Sequence, residues 1–266
     1  MNMAKISFLL LMAFLTLTHA QDLSWYNDTD DAFELSNATK LNGLRQLVNN
    51  GNAFEGKTIK LASNIALAGN WTPIGNDTNH FRGTFDGQSN TISGLSVDSV
   101  QYAGLFGYVG TNGQIKNLNV IATKIRSVNY AGGLAGYYNS AKAIESCSVR
   151  LSGMSVQVSA VGSVARKNTN NPVAVSSSRS LYFGGLVGYA NGTITITSSY
   201  LSGDMSFSGS ASGERYSYSS GGIGSATSIT ATGSLAIYSG GLVGYANGTT
   251  IITDSYDKRK NISFGF

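Results

Sequence analysis

Covalent staples and metal ligands are nearly missing from this chain. It has one cysteine, Cys147, and two histidines, His19 and His80. A disulfide framework needs a partner for Cys147, and a structural zinc site needs more His and Cys than are present. Neither a His-x-x-x-His metalloprotease motif nor a Cys-x-x-Cys redox motif occurs. Charge is sparse too: the net formal charge is +4, and the only basic run is Lys258-Arg259-Lys260. That run reads as a solvated tail, and no nucleic-acid partner is expected. A fold without staples must be held by backbone ladders and apolar stacking.

A long apolar run is lacking as well, except at the start. Residues 1–20 carry Lys5, an apolar stretch from Ile6 to Leu17, and small residues in Thr18-His19-Ala20. This is the pattern of a secretory signal peptide cleaved before Gln21. The stretch falls short of the roughly 20 residues a membrane helix needs, so no span is expected after cleavage.

What is present is repetition. Tyr102-Ala-Gly-Leu-Phe-Gly-Tyr108 returns as Tyr130-Ala-Gly-Gly-Leu-Ala-Gly-Tyr137, Tyr182-Phe-Gly-Gly-Leu-Val-Gly-Tyr189 and Tyr238-Ser-Gly-Gly-Leu-Val-Gly-Tyr245. A second series interleaves with it: Ile92-x-x-Leu95-x-Val97, then Ile115, Ile144, Ile196 and Ile252 in the same setting. The isoleucines are spaced by 23, 29, 52 and 56 residues. Because the last two intervals are about twice the first two, each is expected to hide a degenerate copy, at 160–168 and 220–232.

Each unit then holds short strands joined by Gly- and Asn-rich turns. It cannot bury its apolar face alone, but stacking on its neighbours buries it. The expected fold is all-β, a parallel β-solenoid over 57–266. One ladder would run through Leu105, Leu134, Leu186 and Leu242, another through the isoleucines. An up-and-down barrel or a propeller competes, although propeller blades are usually longer. Glycines flank the leucine where the chain must bend or approach itself closely. The bracketing tyrosines read as stacked scaffold.

The segment 21–56 differs. Ala38, Leu41, Leu44, Leu47 and Val48 fall at helical spacing, and Asn49-Asn50-Gly51 supplies a stop. A short helix here would cap the first strands, which otherwise expose their edges.

Gly-Gly-Leu-Val-Gly-Tyr, preceded by Tyr and followed by Asn-Gly-Thr and Ile-x-x-Ser or Cys, resembles the GLUG repeat of bacterial surface and secreted proteins. Trp71-Thr-Pro-Ile-Gly75 and Phe81-Arg-Gly-Thr-Phe-Asp-Gly87 also resemble what precedes such repeats. The resemblance implies a right-handed parallel β-helix on an adhesin-like protein and carries no catalytic residues.

β-Helices often act on polysaccharides, so an enzyme has to be weighed. Glycoside hydrolysis needs two carboxylates facing each other across a cleft. Six of the acidic residues lie in the segment 21–56, and those beyond it are isolated, none recurring at one repeat position. Asp28, Asp30, Asp31 and Glu34 lack the central glycine of a calcium loop and read as an exposed acidic leader. His80 reads as a surface imidazole, and Cys147, standing where Leu118 stood one copy earlier, as a small buried hydrophobe. The expectation is a secreted or cell-surface, non-catalytic binding or adhesion module without metal or cofactor. Its partner would be an extracellular glycan or surface protein. Alternatives are a carbohydrate-active β-helix enzyme and a structural assembly module. Tyr200 and Tyr256 occupy one outward repeat position and are the candidate ligand-binding residues, since exposed aromatics stack on sugar rings. Seven Asn-x-Ser/Thr triplets occur, and in Asn191 and Asn247 the Asn-Gly turn itself accounts for the sequence.

Overall fold

A computed structural model describes residues 20–159, 179–210, 217–218, 235–257 and 262–265. The leader up to His19 and both expected degenerate copies, 160–168 and 220–232, lie outside the described residues. Among the described residues the chain is all-β, with parallel sheets and one short helix. No helix among the described residues is long and apolar enough to cross a membrane.

Each repeat sends one strand to each of three parallel sheets. In the first sheet the neighbours are Ala32–Leu35, Thr58–Leu61, Thr84–Asp86, Gln114–Lys116, Ile144–Glu145, Ile194–Thr197 and Thr250–Thr253. The third sheet stacks Phe106–Val109, Ala135–Tyr138, Val187–Asn191 and Val243–Asn247. The second sheet runs through Ile65–Ala66, Thr91–Ala103 and Asn119–Gly132, then continues as paired halves. Ser148–Ser159 and Arg179–Gly184 both lie against Asn119–Gly132. Tyr200–Ser210 and Leu235–Gly240 lie against those in turn.

Register stacks like upon like. Phe33, Ile59, Phe85, Ile115, Ile144, Ile196 and Ile252 form one column of the first sheet. All but Ile252 are buried. Each full burial of such a side chain is worth about 2 kcal/mol, so the column is a major source of cohesion. Leu105, Leu134, Leu186 and Leu242 form the second ladder, fully buried or nearly so. There the Leu134 and Leu186 amides donate to the carbonyls of Leu186 and Leu242.

One expectation is corrected by this register. Ile92 does not belong to the isoleucine column: it pairs with Val120 and Ile65 in the second sheet, and Phe85 holds the rung beside Ile115. Among the described residues, the strands on either side of each doubled interval are direct neighbours in the first and third sheets. Ile144 pairs directly with Ile196, Ile196 with Ile252, and Val187 with both Ala135 and Val243.

The helix spans Ala38–Asn49, with the Asn37 side chain accepting from the Lys40 amide at 2.9 Å. That N-cap satisfies a donor the helix cannot. Leu41, Leu44 and Val48 are fully buried in the common core. Asn49 ties the helix end to the following loop, donating to the Pro73 carbonyl and accepting from the Gly75 amide at 2.7 Å. The strand Ala32–Leu35 precedes the helix and is already the first rung of the first sheet. The stack therefore begins within the segment expected to be only a cap.

The inward bend between the first and second sheets replaces Leu118 by Cys147, Ser199 and Ser255. Ser199 Oγ donates to the Thr197 carbonyl at 2.8 Å and accepts from the Cys147 amide at 3.0 Å. Cys147 Sγ makes the equivalent contact to the Glu145 carbonyl, so the thiol serves as a serine as much as a hydrophobe. Burial pushes its pKa up to about 12, which leaves it protonated and inert.

Candidate functional site

The bend from the second to the third sheet carries the bracketing tyrosines. Tyr102, Tyr130, Tyr182 and Tyr238 stand in register at the end of the second sheet. Their rings stack at 5.1, 5.3 and 5.1 Å with interplanar angles of 4°, 6° and 9°. Tyr108, Tyr137, Tyr189 and Tyr245 stand in register on the third, stacked at 4.5, 4.9 and 5.2 Å. His80 extends this second row, its ring 3.8 Å from Tyr108 and nearly parallel to it. The imidazole is thus part of an aromatic column, not a bare surface group.

The two rows also touch each other. Tyr102 and Tyr108 are 5.7 Å apart, Tyr130 and Tyr137 5.4 Å, Tyr182 and Tyr189 4.9 Å, and Tyr238 and Tyr245 5.1 Å, all steeply inclined. Such edge-to-face contacts are favourable. They also report shape. Outward side chains on either side of a convex bend diverge, whereas these converge, so the outer surface is re-entrant here. The eight rings line that elbow, and each remains half-buried.

The flanking amides are ordered as well. Asn191 donates to Asn139 and Asn247 to Asn191, each at 3.1 Å. These amides form a ladder beside the tyrosines, and it engages the asparagine side chains of the triplets at Asn191 and Asn247.

The sequence placed its candidate elsewhere. Tyr200 and Tyr256 do pair in register and stack at 5.6 Å and 10°, with Tyr256 46% exposed. Their row continues through Ser148, Asn119 and Thr91, so the aromatic pair is confined to the C-terminal half, as expected. The elbow lies near the other end of the same sheet. Asn119 and Tyr130 mark the two positions on one strand, roughly 35 Å apart along extended chain. The two aromatic features are separate. Reading the bracketing tyrosines as scaffold missed that both rows share an outer surface. Their placement either side of one Gly-Leu turn was the available signal.

Several acidic groups are tied up in ion pairs. Asp86 pairs with Lys116 at 3.6 Å, and Asp98 with Lys124 and Arg126. Burial raises the Asp86 pKa, but hydrogen bonds from Asn117 and Gln88 and the Lys116 charge outweigh it and hold the carboxyl below its ordinary value. The acidic leader is tied down by Lys57, whose ammonium donates to the carbonyls of Asp28 and Asp30. No group of three His, Cys, Asp or Glu could hold a metal ion among the described residues.

Comparison with known proteins adds little. No family model matches the chain, and no solved structure matches it. A stretch of 111 residues, 40% of the chain, is 30% identical to a "Putative Gly-rich membrane protein" of Evansella cellulosilytica. The chain spans only 13% of that relative's length.

The elbow makes its own pH prediction. Burial, reinforced by tyrosine neighbours, raises the pKa of Tyr102, Tyr130, Tyr137 and Tyr189, and burial raises that of Tyr108. A hydroxyl whose pKa rises on folding stabilises the fold below its unfolded value, about 10, and that contribution is lost as pH climbs beyond it. Stability should therefore stay level with respect to these groups up to about pH 10 and fall above it, tyrosinate absorbance appearing together with loss of circular dichroism. Ordinary tyrosine titration in a still-folded chain would contradict this.

Proposed function

We propose that the chain is a right-handed parallel β-helix of the GLUG-repeat kind, acting outside the cell as a non-catalytic binding or adhesion module for glycans. Parallel strands joined in succession through three sheets support the solenoid, and right-handed crossovers are the rule for such connections. The signal-like residues 1–20 support secretion. The observation that carries the binding role is the re-entrant elbow, two converging rows of half-buried tyrosines with an ordered ladder of amides beside them. Sugar rings present apolar faces and hydroxyl edges, and such a surface meets both.

Glycan-array binding of the purified chain, with a parallel assay for new reducing or unsaturated sugar ends, tests this reading. Binding without turnover is expected. Tyr137→Leu, at the centre of the elbow, should weaken binding at least tenfold, as loss of a central aromatic contact does. Tyr256→Ala should leave it within about twofold if the elbow is the site. Release of sugar ends would replace the module by a carbohydrate-active enzyme. Loss of binding in Tyr256→Ala, with Tyr137→Leu unaffected, would move the site to the Tyr200–Tyr256 pair.

A further inference from the structure

A cleft lies against the N-terminal helix, well apart in sequence from the tyrosine repeats. Ala38, Asn42 and Arg45 fall on one helical face and, with residues 66–72, enclose a partly open cleft of about 100 Å³. The Arg45 guanidinium lies over the Trp71 ring, 5.9 Å from its centroid. Trp71 is held in place, 4% exposed, with its indole N–H donating to the Leu105 carbonyl at 3.0 Å. Thr39, Asn42, Asn70 and Thr72 bring hydroxyls and amides to the same cleft.

Arg45 is anomalous among the arginines. Among the described residues, three have a buried Nε without a hydrogen-bond partner: Arg45, Arg82 and Arg126. Arg82 has Glu55 at 3.8 Å and Arg126 has Asp98 at 3.7 Å to compensate the charge. Arg45 forms no ion pair among the described residues. Burial lowers its pKa with no acidic group opposing the shift. A partly buried guanidinium without a counter-ion is costly to maintain, and its charge is satisfied most directly by an anion.

The geometry points to this cleft as a binding site for the carboxylate of an acidic sugar. One guanidinium matches the single charge of a carboxylate, to which its fork is suited, while a phosphate dianion would be left half compensated. The space equals roughly three water volumes, enough for a carboxylate and the carbon bearing it. The sugar ring would remain at the mouth, where Asn70 and Thr72 are exposed and can meet its hydroxyls. A side chain without hydroxyls, such as an aspartate in a peptide, would use only the arginine.

Tryptophan fluorescence titration with sodium digalacturonate tests the assignment, using Trp25→Phe so that Trp71 alone reports. The acid should give a saturable change. Its neutral methyl ester and an N-acetyl-aspartate amide should each bind at least tenfold more weakly. Arg45→Gln should weaken digalacturonate binding by about tenfold or more, the usual effect of losing a charged hydrogen bond. Asn42→Asp keeps Arg45 but sets a carboxylate three residues away on the same helix face, and should block binding similarly. No saturable response, or an unchanged response in a folded Arg45→Gln or Asn42→Asp chain, would overturn the site. Equal or tighter binding of the aspartate amide would overturn the sugar.

Discussion

Gly184→Ala should cost about 3 kcal/mol of stability, more than a single added methyl costs at most positions. A Cβ at Gly184 would lie 2.0 Å from the Val187 carbonyl oxygen and 2.5 Å from the Gly244 amide nitrogen. Both are backbone atoms in hydrogen-bonded strands and cannot move as a side-chain tip could. The φ of Gly184 is not left-handed, so the residue is glycine for space alone. Gly192 offers the opposite case. It has φ +82° and nothing within 4 Å of a Cβ, so Gly192→Ala should cost only the left-handed penalty of about 1 kcal/mol. Urea denaturation of the two variants separates the causes, and equal losses would contradict the reading. The larger change also bears on the elbow. Forcing the strands apart at Gly184 should open the Tyr182–Tyr189 contact, so glycan binding should fall together with stability.

The part of this fold legible in the sequence is the part built by stacking identical residues. The leucine ladder has its expected members, because each rung repeats the same turn chemistry on either side of one buried side chain. The isoleucine column was legible from Ile115 onward. It failed at its start, where an aromatic, Phe85, fills the rung and Ile92 imitates the local pattern from the next sheet. Apolar type alone does not distinguish two inward columns of one core. Helix 38–49 was readable from its 3.6-residue spacing, but the strand Ala32–Leu35 ahead of it is too short to announce itself by alternation.

The candidate site was half legible for a related reason. Sequence shows that Tyr102 and Tyr108 bracket a turn, but not whether the bend is convex or re-entrant. That sign decides whether two tyrosine rows are separate or one surface. Arg45 was invisible for another reason. Its missing counter-ion is a fact about space around the helix, and any of the nearby acidic residues, such as Asp22 or Glu34, could have supplied one.

The doubled spacings call for the most direct test, since residue counting and strand pairing give different numbers of rungs. In the structure Glu145 and Thr197 are register partners on adjacent parallel strands. Adjacent strands lie about 4.8 Å apart, within disulfide reach, whereas an intervening rung would double that distance and forbid the bond. Glu145→Cys with Thr197→Cys should therefore cross-link under mild oxidation. The pair is best made with Cys147→Ser, because Ser199 already shows that a hydroxyl can make the same contact at that bend. Closing a loop of 52 residues should add about 4 kcal/mol of stability relative to the reduced form. Mobility on non-reducing gels and melting of both redox forms supply the readout. A folded chain that stays reduced would mean that another strand lies between the two. A cross-linked chain means that no strand of the first sheet lies between Ile144–Glu145 and Ile194–Thr197, whatever course the intervening chain takes.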